Sequence, residues 1–322
     1  MNPIIWIIDE EWSNYELEKE VLLESFPESQ IKFSSNDYEK DLESFGFLAT
    51  AIICQISVVM GRQTIERLQN CKIISVYGAG YDKVDTVTAK GMGIVVANVP
   101  GYCAEDVSDY VMACMYHFNK KIPDYASKVT DNPWGAMAAP KLIHRMNSLN
   151  LMIIGLGRIG TLLANKAQAV GVKVSCYDPY VEEEIANQLG IQKVELSEGL
   201  QKADFVSLNA KLCEETRGLM NYERFCEMNS EAYFINASRG GTVVQKDLIR
   251  AVREQKISGA ALDVIETEPP KKDDEILHTP NILVTPHISY LSEDSLKELQ
   301  RTAAENIVQY LMGKKLNSIV NP

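Results

Sequence analysis

Short, nearly continuous apolar runs alternate along this chain with amphipathic stretches. The runs Ile4–Ile8, Ala51–Cys54, Lys72–Val76, Gly93–Ala97, Leu149–Ile154, Lys173–Tyr177, Asp204–Leu208, Tyr233–Asn236, Gly259–Leu262 and Ile282–Thr285 read as strands. Between them, Tyr15–Ser25, Arg158–Val170 and Val244–Glu254 carry helical periodicity. Strands that are apolar on both faces and separated by helices belong to parallel sheets covered on both sides. The fold class is therefore α/β.

The alternation is interrupted at Asn98-Val-Pro-Gly101. A helix is predicted over Glu105–Lys121, because acids at its start and Lys120 and Lys121 at its end suit the helix dipole. Pro123 is expected to end it, and residues 124–148, with Asn132-Pro-Trp-Gly135, to be irregular. The stripe Val111, Met115 and Phe118 reads as core or subunit interface, and Glu182–Glu184 as the solvated first turn of a helix. Residues 1–98 form one expected unit and 99–292 a second; the last helix, Glu293–Met312, is expected to return with 293–322 to the first.

At 322 residues the chain holds about two domains. A net charge of −12 disfavours nucleic acid and anionic membranes as partners. No apolar run reaches the roughly 18 residues of a membrane span. The first run, Ile4–Ile8, is too short for a secretory signal and is followed by Asp9-Glu-Glu11, so no leader is expected. Seven irregularly spaced cysteines, none in Cys-x-x-Cys, suit reduced thiols and a cytoplasmic location. With four scattered histidines, no metal site is expected.

Residues 155–160 read Gly-Leu-Gly-Arg-Ile-Gly, directly after one strand and at the start of a helix. Glycine triplets also arise in ordinary turns; here the surrounding order carries the reading. Gly155 permits a tight turn, Gly157 lets backbone approach a pyrophosphate, and Gly160 allows close helix–strand packing. The N–H groups of Arg158, Ile159 and Gly160 open the helix and suit an anion, and the Arg158 side chain can add a charge. The next strand ends at Asp178, a carboxylate that suits ribose hydroxyls and repels a 2′-phosphate. The expected cofactor is NAD rather than NADP.

Three later strand ends are polar: Arg239 in Ile235-Asn-Ala-Ser-Arg-Gly240, Asp263 with Glu268 in the following loop, and His287 after Leu283-Val-Thr-Pro. Ligands of open parallel sheets sit outside the carboxyl ends of the strands. With these motifs in order, and with Tyr77-Gly-Ala-Gly-Tyr-Asp-Lys-Val-Asp85, Asn98-Val-Pro100 and Trp134, nearly the whole chain resembles the D-isomer-specific 2-hydroxyacid dehydrogenases. Asp178-Pro-Tyr180, Glu105-Asp-Val-Ser-Asp109 and Ser289-Tyr-Leu-Ser-Glu293 look most like the branch of C-terminal-binding-protein corepressors and their bacterial relatives.

The resemblance implies a Rossmann cofactor domain inserted in a flavodoxin-like substrate domain, and a homodimer formed through the cofactor domain. It implies that Arg239 grips the substrate carboxylate and polarises the 2-oxo oxygen. His287 would give the alkoxide its proton, a task suited to a side chain type that ordinarily titrates near neutrality. Glu268 would orient His287. The N–H groups of Ala79 and Gly80 would take the substrate carboxylate, while Asn209, Ala237 and Asp263 would face the cofactor, Asp263 at the nicotinamide carboxamide. His117, His144 and His278 read as non-catalytic.

This chain departs from the family at three places. Asn209 and Lys211 stand where many relatives have His and Pro. Val76 replaces an arginine common before the Gly-x-Gly-Tyr-Asp stretch, which disfavours a second anionic group on the substrate. Tyr290 stands where the corepressors have tryptophan, which favours a flat or apolar substrate side chain. The leading expectation is an NAD-dependent reductase of small 2-oxo acids. The alternatives are an NADH-sensing binding protein of the corepressor type and D-3-phosphoglycerate dehydrogenase. The chain's end soon after the last helix leaves no expected regulatory domain for the latter.

Overall fold

The computed structural model describes residues 2–129, 134–138, 142–316 and 318–322. They fall into two compact units, Met1–Tyr102 with Ser292–Pro322, and Cys103–Leu291.

The first unit holds a sheet of β1 (Ile4–Ile8), β2 (Gln30–Ser34), β3 (Ala51–Gln55), β4 (Ile73–Tyr77) and β5 (Val95–Ala97). All pairs are parallel, in the order β2-β1-β3-β4-β5, which is the flavodoxin-like order. Trp6, Ile8, Ile52, Cys54, Ile74 and Val76 pack on one face. On the other face the final helix, Glu293–Leu311, places Asn306 Nδ2 3.3 Å from Ser75 Oγ and 3.2 Å from the Asn98 carbonyl. A buried amide is tolerated when its hydrogen bonds are met, and these bonds tie the chain's end to the first unit.

The second unit holds β6 (Asn150–Ile154), β7 (Lys173–Tyr177), β8 (Gln192–Lys193), β9 (Phe205–Leu208), β10 (Tyr233–Asn236), β11 (Gly259–Leu262) and β12 (Ile282–Val284). These are also all parallel, ordered β12-β11-β10-β9-β6-β7-β8. This is the dinucleotide-binding order with one more strand, and the order reverses between β6 and β9.

The structure corrects the sequence reading in four places. Strand β2 lies at the sheet edge with Gln30, Lys32 and Phe33 exposed, so it lacks the continuous apolar signature. Strand β8 is only two residues long. The helix Ala104–Lys120 is closed by Lys121 in the left-handed region, φ 50°, not by Pro123. Pro123 instead lies in the first turn of a further helix, Ile122–Ser127, where its missing N–H is not needed. Finally, residues 99–102 go with the first unit: the Val99 N–H donates to the Gly78 carbonyl at 2.8 Å. Asn132 and Pro133 of the expected irregular stretch lie outside the described residues.

Candidate active site

The glycine loop sits at the switch point of the second sheet. Gly155 has φ 95°, and a Cβ there would stand 2.8 Å from the Ala210 amide nitrogen, so only glycine fits the turn against the β9 loop. A Cβ on Gly160 would meet the Gly155 carbonyl at 2.3 Å. Gly157 differs: a Cβ there would meet nothing within 4 Å. It opens the helix Arg158–Ala169 without any side-chain cap, so the first helical N–H groups, at Arg158, Ile159 and Gly160, are left for another acceptor. Arg158 is exposed beside them.

Asp178 follows β7. Its Oδ2 accepts from the Leu156 N–H at 2.9 Å and its Oδ1 from the Tyr180 N–H at 2.9 Å, so the acid braces the glycine loop. Asn209, after β9, is held by its Nδ2 at 3.0 Å from Ser207 Oγ, and its Oδ1 is buried with no protein partner. Ala237, after β10, is half-buried. An uncapped helix start over open space, a carboxylate at the second strand end and an orphaned buried acceptor fit a dinucleotide.

Arg239 lies on a turn after β10. Asn236, fully buried, accepts from Ser238 N at 3.0 Å and Ser238 Oγ at 2.8 Å, and donates to the Arg239 carbonyl at 3.1 Å. Gly240 is forced: a Cβ would stand 1.7 Å from the Ile265 carbonyl oxygen, so the Arg239 turn closes on the backbone leading to Glu268. Glu268 Oε1 in turn accepts from Ile265 N at 2.9 Å, and Oε2 lies 2.8 Å from His287 Nδ1. The ring of Tyr290 stands edge-on to the imidazole at 6.3 Å. Burial pushes the Glu268 carboxyl up, but the His287 hydrogen bond and charge, the Ile265 N–H and the Arg239 guanidinium outweigh it and hold it below the usual carboxylate range. Glu268 therefore stays ionised and available to a protonated imidazole.

His287 occupies the left-handed region, φ 55°, which a side chain enters at a cost of about 1–2 kcal/mol. Asp263 secures it. Its main-chain oxygen accepts from His287 N at 2.9 Å. Its carboxylate, on a residue only 1% exposed, accepts from Thr285 Oγ1 at 2.6 Å and from the N–H groups of Ile288 and Ser289, both at 2.8 Å. Sequence reasoning assigned Asp263 to the cofactor alone and missed this task. The signal for it was the threonine two residues before the histidine.

In the first unit, Gly78 (φ 148°) starts the loop that carries Ala79 and Gly80; a Cβ there would stand 2.5 Å from Ile56 Cγ2. Asn98 Nδ2 holds the Ala79 carbonyl at 2.7 Å, a brace that sequence reasoning did not identify. Ala79 is exposed. Of the remaining histidines, His278 bonds the Lys272 carbonyl at 2.8 Å, His117 packs edge-on against Phe118, and the His144 carbonyl accepts from Asn119. No helix among the described residues is long and apolar enough to cross a membrane.

The profile described as "D-isomer specific 2-hydroxyacid dehydrogenase, NAD binding domain" matches residues 112–289. A hydroxypyruvate reductase of Blautia hydrogenotrophica is 35% identical over 268 residues, 81% of this chain and 82% of its own. A glyoxylate reductase of Korarchaeum cryptofilum is 30% identical, covering 84% of this chain and 82% of its own. A D-3-phosphoglycerate dehydrogenase of Methanocaldococcus jannaschii is 32% identical, but the match spans only 52% of that protein. Among solved structures, D-lactate dehydrogenase from Aquifex aeolicus, complexed with NAD and lactic acid, superposes with a TM-score of 0.86 at 25% identity, covering 99% of both chains. The chain therefore belongs to the D-isomer-specific 2-hydroxyacid dehydrogenases, NAD-dependent oxidoreductases acting on 2-hydroxy acids.

Proposed function

We propose that this protein reduces a small 2-oxo acid to the D-2-hydroxy acid, with His287 as the proton donor. The observation that carries this reading is the 2.8 Å contact between His287 Nδ1 and Glu268 Oε2, beside the Arg239 turn. It fixes the ring and leaves Nε2 to face substrate. NADH, when bound, supplies the hydride that C2 receives. The other tasks fall to the chain. Arg239 grips the carboxylate and polarises the 2-oxo oxygen. His287 Nε2 gives its proton to the oxygen as negative charge develops there, and Glu268 stabilises the imidazolium before transfer. Gly155, Gly157, Arg158, Ile159 and Gly160 hold the pyrophosphate, Asp178 the ribose hydroxyls, and Asn209, Ala237 and Asp263 the nicotinamide end. Ala79 and Gly80 contribute N–H donors to the substrate carboxylate, and Tyr290 limits its side chain.

The relatives named hydroxypyruvate reductase and glyoxylate reductase support a two- or three-carbon substrate. Val76 speaks against a phosphorylated one, because no guanidinium stands at that position. The test is NADH oxidation across glyoxylate, hydroxypyruvate, branched and aromatic 2-oxo acids and 3-phosphohydroxypyruvate, with NADPH in parallel. Preference for an unphosphorylated acid is expected; preference for 3-phosphohydroxypyruvate overturns the reading of Val76. Tight NADH binding without turnover would move the protein to the sensor class.

The same proposal includes a homodimer. Ile122, Val129, Trp134, Met137 and Leu142 are between 56% and 82% exposed within one short stretch of the second unit. Apolar side chains gathered in this way favour a partner surface. Light scattering should give twice the chain mass; a monomer mass would contradict it.

A further inference from the structure

Tyr110 lies on the helix Ala104–Lys120, outside the glycine loop and the Arg239, Glu268 and His287 motifs. Its hydroxyl stands 2.7 Å from Thr285 Oγ1. The direction of that bond follows from counting protons. Thr285 has one hydroxyl hydrogen and places it on Asp263 Oδ1 at 2.6 Å, because a carboxylate only accepts. Thr285 must then accept from Tyr110. The result is a directed chain, from Tyr110 O–H to Thr285 O–H to the Asp263 carboxylate. The same carboxylate takes the Ile288 and Ser289 N–H groups, and the Asp263 carbonyl takes that of His287. Four groups of residues 285–289 thus terminate on one buried residue, and Tyr110 fixes the rotamer of the only one of them that can rotate.

We infer that Tyr110 is a positioning residue for catalysis: through Thr285 and Asp263 it holds the His287 loop, and with it the left-handed backbone of His287, in the proton-donating arrangement. The inference rests on the functional reading above. Its consequence is specific, because the chain of bonds reaches the histidine loop and not the glycine loop. Loosening it misplaces the proton donor and leaves the dinucleotide contacts of residues 155–178 intact. Displacement of a reacting group by about 1 Å can cost on the order of 100-fold in rate, so a partial loosening costs less.

The test uses the full chain with Tyr110→Phe, Thr285→Val and Thr285→Ser. Tyr110→Phe keeps the ring and removes only the donor. The expected result is a kcat lower by about 10-fold with KM for the 2-oxo acid nearly unchanged. Tm should stay near the wild-type value, and affinity for NADH, read by fluorescence, should change much less than kcat, because Asp263 keeps its bonds to the Ile288 and Ser289 N–H groups. Thr285→Val, which breaks both links, should lose more, and Thr285→Ser, which restores them, should recover most of kcat. Amide hydrogen exchange gives a readout independent of turnover: peptides spanning 285–291 should exchange faster in Tyr110→Phe, while those of the glycine loop should not. Wild-type kcat together with unaltered exchange in Tyr110→Phe overturns the inference. So does a parallel fall of kcat, NADH affinity and Tm, which would make Tyr110 a general structural residue. If the wild-type protein turns over no 2-oxo acid, the functional reading fails instead, and the exchange experiment still decides whether Tyr110 anchors the loop.

Discussion

The two sheets share one architecture and differ in what their carboxyl ends carry. In the second unit the strand ends offer chemistry: an uncapped helix start after β6, Arg239 after β10, Asp263 after β11 and His287 after β12. In the first unit the polar side chains near the strand ends are turned inward. Tyr77, at the end of β4, donates to the fully buried Glu18 at 2.6 Å, and Tyr15 donates to Asp9 at 2.5 Å. What that unit exposes there is backbone, at Ala79, braced by Asn98. The doubly wound architecture thus presents polar side chains at the strand ends of one unit and a hydrogen-bonded backbone loop in the other, so the two units differ in their strand-end residues more than in their layout.

The contrast extends to the sign of two carboxylates. Glu268 is held below its ordinary range, so its contribution to stability is present above the unfolded carboxylate range and is lost as pH falls through the lowered value. Burial pushes Glu18 up, against the opposing hydrogen bond from Tyr77, so the folded state holds its proton longer than the unfolded one. Its contribution is present at low pH and lost as pH rises through the raised value.

The largest effect that would sharpen this comparison is His287→Gln. Removing the proton donor should lower turnover by about 10³-fold while NADH binding persists. Activity within about tenfold of wild type would mean that the proton comes from elsewhere. Glu268→Gln should have a smaller effect, because it keeps the proton donor and removes the charge and one of the two acceptors that serve Ile265 N and His287 Nδ1. Turnover should fall by about tenfold while NADH binding persists, since the neutral amide no longer offers the imidazole a charged acceptor. Wild-type turnover in this variant would break the assigned pair.

Asp178→Ala should reduce the ratio of NAD to NADP use, because it removes the group that repels a 2′-phosphate. Affinity for both should also fall, since Leu156 N–H loses its acceptor. An unchanged ratio would place Asp178 away from the ribose. The smallest effect is expected in the first unit. Glu18→Gln keeps the shape and removes a buried charge, so it should raise Tm by a few degrees at alkaline pH and little at acid pH. A uniform loss of Tm at all pH values would show that the ionised carboxylate is needed there.

The parallel strands were legible because burial on both faces writes continuous apolar runs, and the glycine loop because a tight turn and close packing admit no side chain at Gly155 and Gly160. Strand β2 was not, because an edge strand with three exposed positions carries no such run. Arg239, Glu268 and His287 were named from their motifs, but the contacts that hold them lie in the tertiary structure. Gly240 against the Ile265 carbonyl, and Tyr110 bonded to Thr285 across 175 residues, follow no local period. Asp263 was legible as a polar strand end and illegible as an anchor, since three of its bonds run to a loop more than 20 residues away.

The measurement that tests the central claim most directly is the reduction of hydroxypyruvate by NADH, with the configuration of the product determined, for the wild type and His287→Gln side by side. The account predicts D-glycerate from the wild type and almost none from the variant, at equal NADH occupancy. An L product, or equal rates from the two proteins, would contradict it.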